Sequence, residues 1–133
     1  MADHALRTFG TGTDIVPVRR VADLIARGGD RFLERWFTAA EIAYCSSKAV
    51  PALHFAARLA AKEAVVKALR SPGDGPVPWS SIEIGHDDAG APTVRLAGRV
   101  LAVAVRHGVG PIHVSLSHCD DFAVAVAVAD ARD

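Results

Sequence analysis

The sequence predicts a fold that mixes helices with strand hairpins, on three observations. RLAAKEAVVKAL at 58–69 is rich in helix formers and meets no glycine or proline before Pro72-Gly73, so it forms a helix whose start is marked by Pro51. Ile82-Glu83-Ile84 and Thr93-Val94-Arg95-Leu96 flank the turn residues Asp87-Asp88-Ala89-Gly90, the pattern of a hairpin. Ile112 to His118 and Phe122 to Val128 flank Cys119-Asp120-Asp121 in the same way. The second of these strands is apolar throughout and is expected to be buried on both faces.

On a helical wheel, Ala57, Ala61, Ala64 and Ala68 form a small-residue face of the 58–69 helix, and Phe55, Leu59, Val66 and Leu69 an apolar one. The charges fall between them: Arg58 and Lys62 one turn apart, Glu63 and Lys67 one turn apart on another side. No wide polar face remains for solvent, so this helix is expected to be mostly covered by protein. Two readings stand for its charges. They are ordinary i,i+4 neighbours on a surface, or they surround a ligand, because a covered charge needs a partner.

With 133 residues, half of them hydrophobic, the chain is long enough to build one domain over 1–133 without disulfides or a structural metal. Fifteen basic and fifteen acidic residues cancel, which excludes a global field for nucleic acid or an anionic membrane. Cys45 and Cys119 have no metal-ligand spacing and are expected to be reduced, half-buried thiols of a cytoplasmic protein. No signal peptide is visible in MADHALRTFG, and the longest apolar run, 123–129, is far short of a membrane span, so a soluble protein is expected.

Residues 10–16, GTGTDIV, form a short strand ending at Pro17; Gly10 and Gly12 lack the third glycine of a dinucleotide loop. Asp14 is unusual on a core strand, and its simplest local role is a turn or helix cap near Pro17. Val21, Leu24 and Ile25 give a helix over 18–27, closed by Gly28-Gly29 and followed by a second helical stretch with Phe32, Trp36 and Phe37. Arg19, Arg20, Arg27, Arg31 and Arg35 make this segment locally basic, either a solvated face or a docking surface for an acidic partner.

Thr38 and Glu41 match a capping box that opens a helix through Tyr44. Residues 70–78 are a loop, and 98–107 a helix closed by Gly108. His113, Ser115 and Ser117 point to one side of their strand, with no nucleophile elbow beside them, so hydrolase chemistry is discounted. His118, just before the turn, is either a ligand contact or a histidine bonding local backbone.

Three separated blocks then agree. GTGTDIV at 10–16, RLAAKEAVVKAL at 58–69 and HVSLSHCDDFAVAV at 113–126 together resemble the holo-acyl-carrier-protein synthase family of 4′-phosphopantetheinyl transferases. FLERWFTAAEIAYC at 32–45 and WSSIEI at 79–84 extend the likeness over nearly the whole chain. The resemblance implies a small α+β domain, antiparallel strands packed with a long central helix, assembling as a homotrimer with active sites at the subunit interfaces. It implies transfer of 4′-phosphopantetheine from coenzyme A to a serine of apo-acyl-carrier protein from fatty acid or polyketide synthesis, releasing adenosine 3′,5′-bisphosphate, with Mg²⁺ required.

On the matching positions, the resemblance makes Asp14 and Glu63 the Mg²⁺ ligands and Lys67 a residue that neutralises charge or assists proton transfer. Arg58 and Lys62 would contact coenzyme A phosphates or hold local structure, and His118 and His113 would meet the nucleotide half. Arg20, Arg27 and Arg31 would face the carrier protein. Alternatives are a carrier-binding module without chemistry and a metal-dependent nucleotide hydrolase. The chain departs from the family at Arg70-Ser71-Pro72-Gly73, where a glycine-rich turn is usual, and at Pro17, where a polar or acidic residue is usual.

Overall fold

A computed structural model describes residues 7–71 and 73–132. Pro72 and the first six residues, on which part of the loop and leader expectations rest, lie outside them. In chain order the elements are strand β1 (Thr8–Pro17), helices α1 (Val18–Trp36), α2 (Ala39–Ser46) and α3 (Pro51–Leu69), and strands β2 (Ile82–His86) and β3 (Pro92–Leu96). Helix α4 (Gly98–Arg106) and strands β4 (Val109–His118) and β5 (Phe122–Ala131) complete the chain. All strand pairs are antiparallel, in a three-stranded sheet ordered β1-β5-β4 and a two-stranded β2-β3 hairpin, so the fold is α+β.

Helix α3 packs across the three-stranded sheet, and close approach is written into both partners. Ala57, Ala61, Ala64 and Ala68 are all buried, as are Ala123, Ala125, Ala127 and Ala129 of β5. Gly10 and Gly12 of β1 complete the surface. A Cβ on Gly10 would fall on the carbonyl oxygen of Ala68, and one on Gly12 on that of Ala64. The two glycines therefore serve backbone contact between strand and helix, in the register that brings Asp14 against α3.

The alternation that buries the β5 alanines turns its larger residues outward. Phe122 is 45% and Val126 43% exposed, and Ile15 on β1 is 60% exposed. Ile15 pairs with Val124 and Thr13 with Val126, so these side chains share one open sheet face. β5 is thus buried on one face in the single chain, not on both as its composition suggests: alanine and valine alternate, and only the alanines meet α3.

Helix α1 is continuous but for a break at Gly29, whose φ of 55° and ψ of −139° are non-helical and suit glycine. Beyond the break, Trp36 stacks on Trp79 with ring centroids 4.5 Å apart, and Phe37 meets Phe55 of α3 at 4.9 Å. These contacts tie the end of α1 to α3 and to the segment leading into β2. The capping box of α2 is formed in both directions: Glu41 N–H donates to Thr38 Oγ1 at 3.2 Å and Thr38 N–H to Glu41 Oε1 at 2.9 Å.

At the end of α3, Arg70 adopts φ 62°, a conformation that favours glycine. Its guanidinium lies 4.3 Å from the Phe9 ring and its Nε donates to the Phe9 carbonyl at 3.0 Å, which anchors the helix end to β1. The two cysteines differ: Cys45 is buried, with its thiol pushed up to about 11 chiefly by desolvation, and Cys119 is exposed. Neither is half-buried.

Candidate active site

Asp14 is not a helix cap. Pro17 occupies the N-cap of α1 without a side-chain bond, and Asp14 sits within β1, three residues before it, turned toward α3. There it meets Glu63 and Lys67. Lys67 Nζ lies 3.3 Å from Asp14 Oδ1 and donates to the Thr13 carbonyl at 2.8 Å. Glu63 and Lys67, an expected i,i+4 pair, thus converge on a third residue from another element.

Two carboxylates in one place repel while both are ionised, and neither has a proton to give the other. Burial first, and then the adjoining Asp14 carboxyl, push the Glu63 carboxyl up to about 7, against the pull of Arg20 and Lys67. Asp14 Oδ2 is shut off from solvent and has no hydrogen-bond partner among the described residues. An unsatisfied buried carboxylate oxygen beside a second acid fits a hard divalent cation, which takes oxygen ligands and relieves both defects. No group of three or more metal-ligating side chains occurs among the described residues, so any such ion would take its remaining ligands from water or substrate, as Mg²⁺ commonly does.

Lys62, expected either to contact coenzyme A phosphates or to hold local structure, is fully buried. Its ammonium donates to Glu41 Oε1 at 2.8 Å, to the Trp79 carbonyl at 3.0 Å and to the Ile82 carbonyl. Three protons meet three acceptors, which leaves none for a ligand. Glu41 also accepts from the Ile84 N–H at 3.1 Å. The pair therefore clamps α2, α3 and the start of the β2-β3 hairpin together, a role beyond the capping that the local sequence shows.

Arg58 is also covered, only 4% exposed, and its situation is different. Its guanidinium carbon lies 4.1 Å from the Tyr44 ring centroid, and its Nε has no hydrogen-bond partner among the described residues. It lines a cavity of about 240 Å³ together with Tyr44, His54, Ile84, His86 and His118. A covered guanidinium with no carboxylate partner among the described residues calls for an anion. On α3, Arg58 and Glu63 are five residues apart and point about 140° away from each other, so cavity and acid pair occupy different sides of the helix.

His118 lies in this cavity, and His113 does not. The two differ in strand parity, and His113 is exposed on the outer face of β4 with Nε2 2.8 Å from Asp130 Oδ2. Arg20, Arg27 and Arg31 are all exposed on α1, with Arg31 beyond the break at Gly29. Tyr44, His54 and His86 are contributed by α2, α3 and β2 and were not singled out from the sequence. The signal for His54 is its position one helical turn before Arg58.

The sequence profile of the 4′-phosphopantetheinyl transferase superfamily matches residues 10–127, nearly the whole chain. The chain belongs to that superfamily. It is 47% identical over 120 residues to the holo-[acyl-carrier-protein] synthase of Koribacter versatilis, covering 90% of this chain and 96% of the relative. The fold matches the crystal structure of the Neisseria meningitidis holo-[acyl-carrier-protein] synthase with a TM-score of 0.83 at 32% identity, over 92% of this chain and 98% of that one. The Helicobacter pylori holo-[acyl-carrier-protein] synthase, solved in complex with coenzyme A, matches with a TM-score of 0.76 at 30% identity, over 90% and 98% of the two chains. This member of the superfamily is thus an enzyme, a phosphopantetheinyl transferase. None of its described helices is long and apolar enough to cross a membrane.

Proposed function

We propose that this phosphopantetheinyl transferase moves 4′-phosphopantetheine from coenzyme A to a serine of apo-acyl-carrier protein at Asp14, Glu63 and Lys67. The observation that carries the assignment is the convergence of Asp14, with its unpartnered buried Oδ2, on Glu63 and Lys67. The serine oxygen forms a bond to the phosphorus that bears the pantetheine. The bond from that phosphorus to the bridging oxygen breaks, and adenosine 3′,5′-bisphosphate leaves.

Asp14 and Glu63 would hold Mg²⁺, which would supply charge neutralisation on the coenzyme A pyrophosphate. Lys67, exposed beside Asp14, either neutralises charge developing on the phosphate oxygens or takes part in moving the serine proton; a pH-rate profile of Lys67→Arg separates the two. With the pyrophosphate at the acid pair, the remaining 3′-phosphate fits the Arg58 cavity, where His118 meets the nucleotide half. Lys62 supports that cavity from behind through Glu41.

Acid pair and cavity lie on different sides of α3, and Ile15, Phe122 and Val126 leave an apolar sheet face open. Both features support a homotrimer in which neighbouring copies bring the two half-sites together. Arg20, Arg27 and Arg31 suit an acidic helix of the carrier, from fatty acid or polyketide synthesis, with charge complementarity acting chiefly on encounter rate and specificity.

The test is intact mass spectrometry of apo-acyl-carrier protein incubated with this enzyme, coenzyme A and Mg²⁺. A gain of one phosphopantetheine, lost with EDTA, is expected. Coenzyme A binding without turnover on any carrier would favour a non-catalytic module, and free phosphopantetheine released without carrier would favour a hydrolase.

A further inference from the structure

The cavity at Arg58 holds more titratable groups than anion recognition by a guanidinium needs. His54 lies one turn before Arg58 on α3, and its ring centroid is 5.5 Å from that of His118 on β4. His86, at the end of β2, has its ring 4.7 Å from that of Tyr44, the ring against which Arg58 and Lys48 both pack at 4.1 and 4.4 Å. Three imidazoles from three elements thus border one covered guanidinium. The charged and titratable groups facing them are Tyr44 and Lys48 from α2 and its C-terminal turn, Arg58 from α3, and Asp87 just beyond β2.

We infer that His54 and His86 are specificity-determining residues that make this cavity select a phosphate monoester over the same ligand without it, by taking up a proton when the phosphate enters. The inference rests on the assignment of the coenzyme A 3′-phosphate to the Arg58 cavity. The physical basis is a balance of charge. His54 is lowered from its ordinary value by desolvation, and then by His118, Lys48 and Arg58. His86 is lowered by desolvation, and then by Arg58 and Lys48, with Asp87 opposing.

Both imidazoles are therefore neutral near pH 7 in the free enzyme. A phosphate monoester brings close to two negative charges, which reverses the local field and favours imidazolium. Each proton gained adds a charge-assisted hydrogen bond to the phosphate. Because the free form is the less protonated one, monoester affinity rises as pH falls from about 8.5 toward about 6.5. Near pH 6 the monoester itself begins to gain a proton, and the rise levels off.

A ligand that lacks the monoester has no such linkage. Its affinity through this cavity is set by Arg58, His118 and ring contacts to the nucleotide half, which the two ligands share. The pH dependence therefore belongs to the difference between the two ligands, which cancels titration at the acid pair, common to both.

The test measures the affinities of coenzyme A and 3′-dephospho-coenzyme A for the full-length enzyme by isothermal titration calorimetry, from about pH 8.5 to about pH 6.5, in buffers of different ionisation enthalpy. The ratio of the two affinities should rise several-fold as pH falls, with net proton uptake for coenzyme A alone. In His54→Asn/His86→Asn, which keeps His118 in the cavity, most of the pH dependence of the ratio should be lost. Coenzyme A binding with a pH-independent ratio in the unmodified enzyme, or an unchanged slope in the double variant, overturns this inference alone. No coenzyme A binding at any pH overturns the functional reading and this inference with it.

Discussion

The Lys62 ammonium donates to Glu41 Oε1 at 2.8 Å with both side chains closed off from solvent. Breaking one half of a buried pair leaves the other charge uncompensated, at a cost of about 3–5 kcal/mol, whereas removing both costs less than the sum. Lys62→Met should lower the stability of the domain by about 3 kcal/mol in urea unfolding, and adding Glu41→Leu should restore part of that loss. Full additivity of the two changes would show that the pair is not coupled.

Gly12→Ala tests the contact between β1 and α3. Its Cβ would fall on the Ala64 carbonyl, so helix and strand must separate where Asp14 faces Glu63. A loss of about 1–3 kcal/mol is expected, as for other overpacked interiors, with transfer activity falling well beyond what the unfolded fraction accounts for. Unchanged denaturant midpoint and activity would mean that the two elements do not meet as closely as described.

The Glu63 carboxyl, raised to about 7, makes the metal-free protein sensitive to pH. A carboxyl raised in the folded state contributes stability below its unfolded value near 4.5, and this is lost as pH rises through about 7. Glu63→Gln does not ionise. Its stability relative to the unmodified protein in EDTA should therefore improve on going from acid to pH 8, by about 1 kcal/mol once residual solvent screening is allowed for. Thermal unfolding at several pH values measures this, and Mg²⁺ should narrow the difference by favouring ionised Glu63.

The open sheet face gives a prediction about assembly. Val126→Asp places a charge among Ile15, Phe122 and Val124 without touching the alanine face of β5. In light scattering, the unmodified chain should run as a trimer and the variant as a smaller species that stays folded but loses transfer. A variant of unchanged mass and activity would place the subunit interface elsewhere.

Local periodicity carried most of the secondary structure, because helix formers, turn residues and alternation act over a few neighbours. Tertiary partners were another matter. The Thr38–Glu41 capping box was legible from a spacing of three, but nothing near Glu41 in sequence announces Lys62 or Ile84 N–H. Gly10 and Gly12 were legible as unusual, and their reason, the backbone of α3, lies more than fifty residues away. Asp14 looked locally like a cap; only its meeting with Glu63 and Lys67 accounts for it. The outward face of β5 is open in the single chain, and a single sequence cannot distinguish strand faces covered within the chain from those left for another copy. His54, His86 and Tyr44 carried no recognised motif, since each becomes part of the cavity through a different element.

The most direct test of the account is the rate of phosphopantetheine transfer by Asp14→Ala and Glu63→Ala, measured by carrier mass across a Mg²⁺ series, with circular dichroism to verify folding. Both variants should fold, and their transfer should be lost at every Mg²⁺ concentration. Full activity in either variant would contradict the assignment of this acid pair as the metal-holding centre of the reaction.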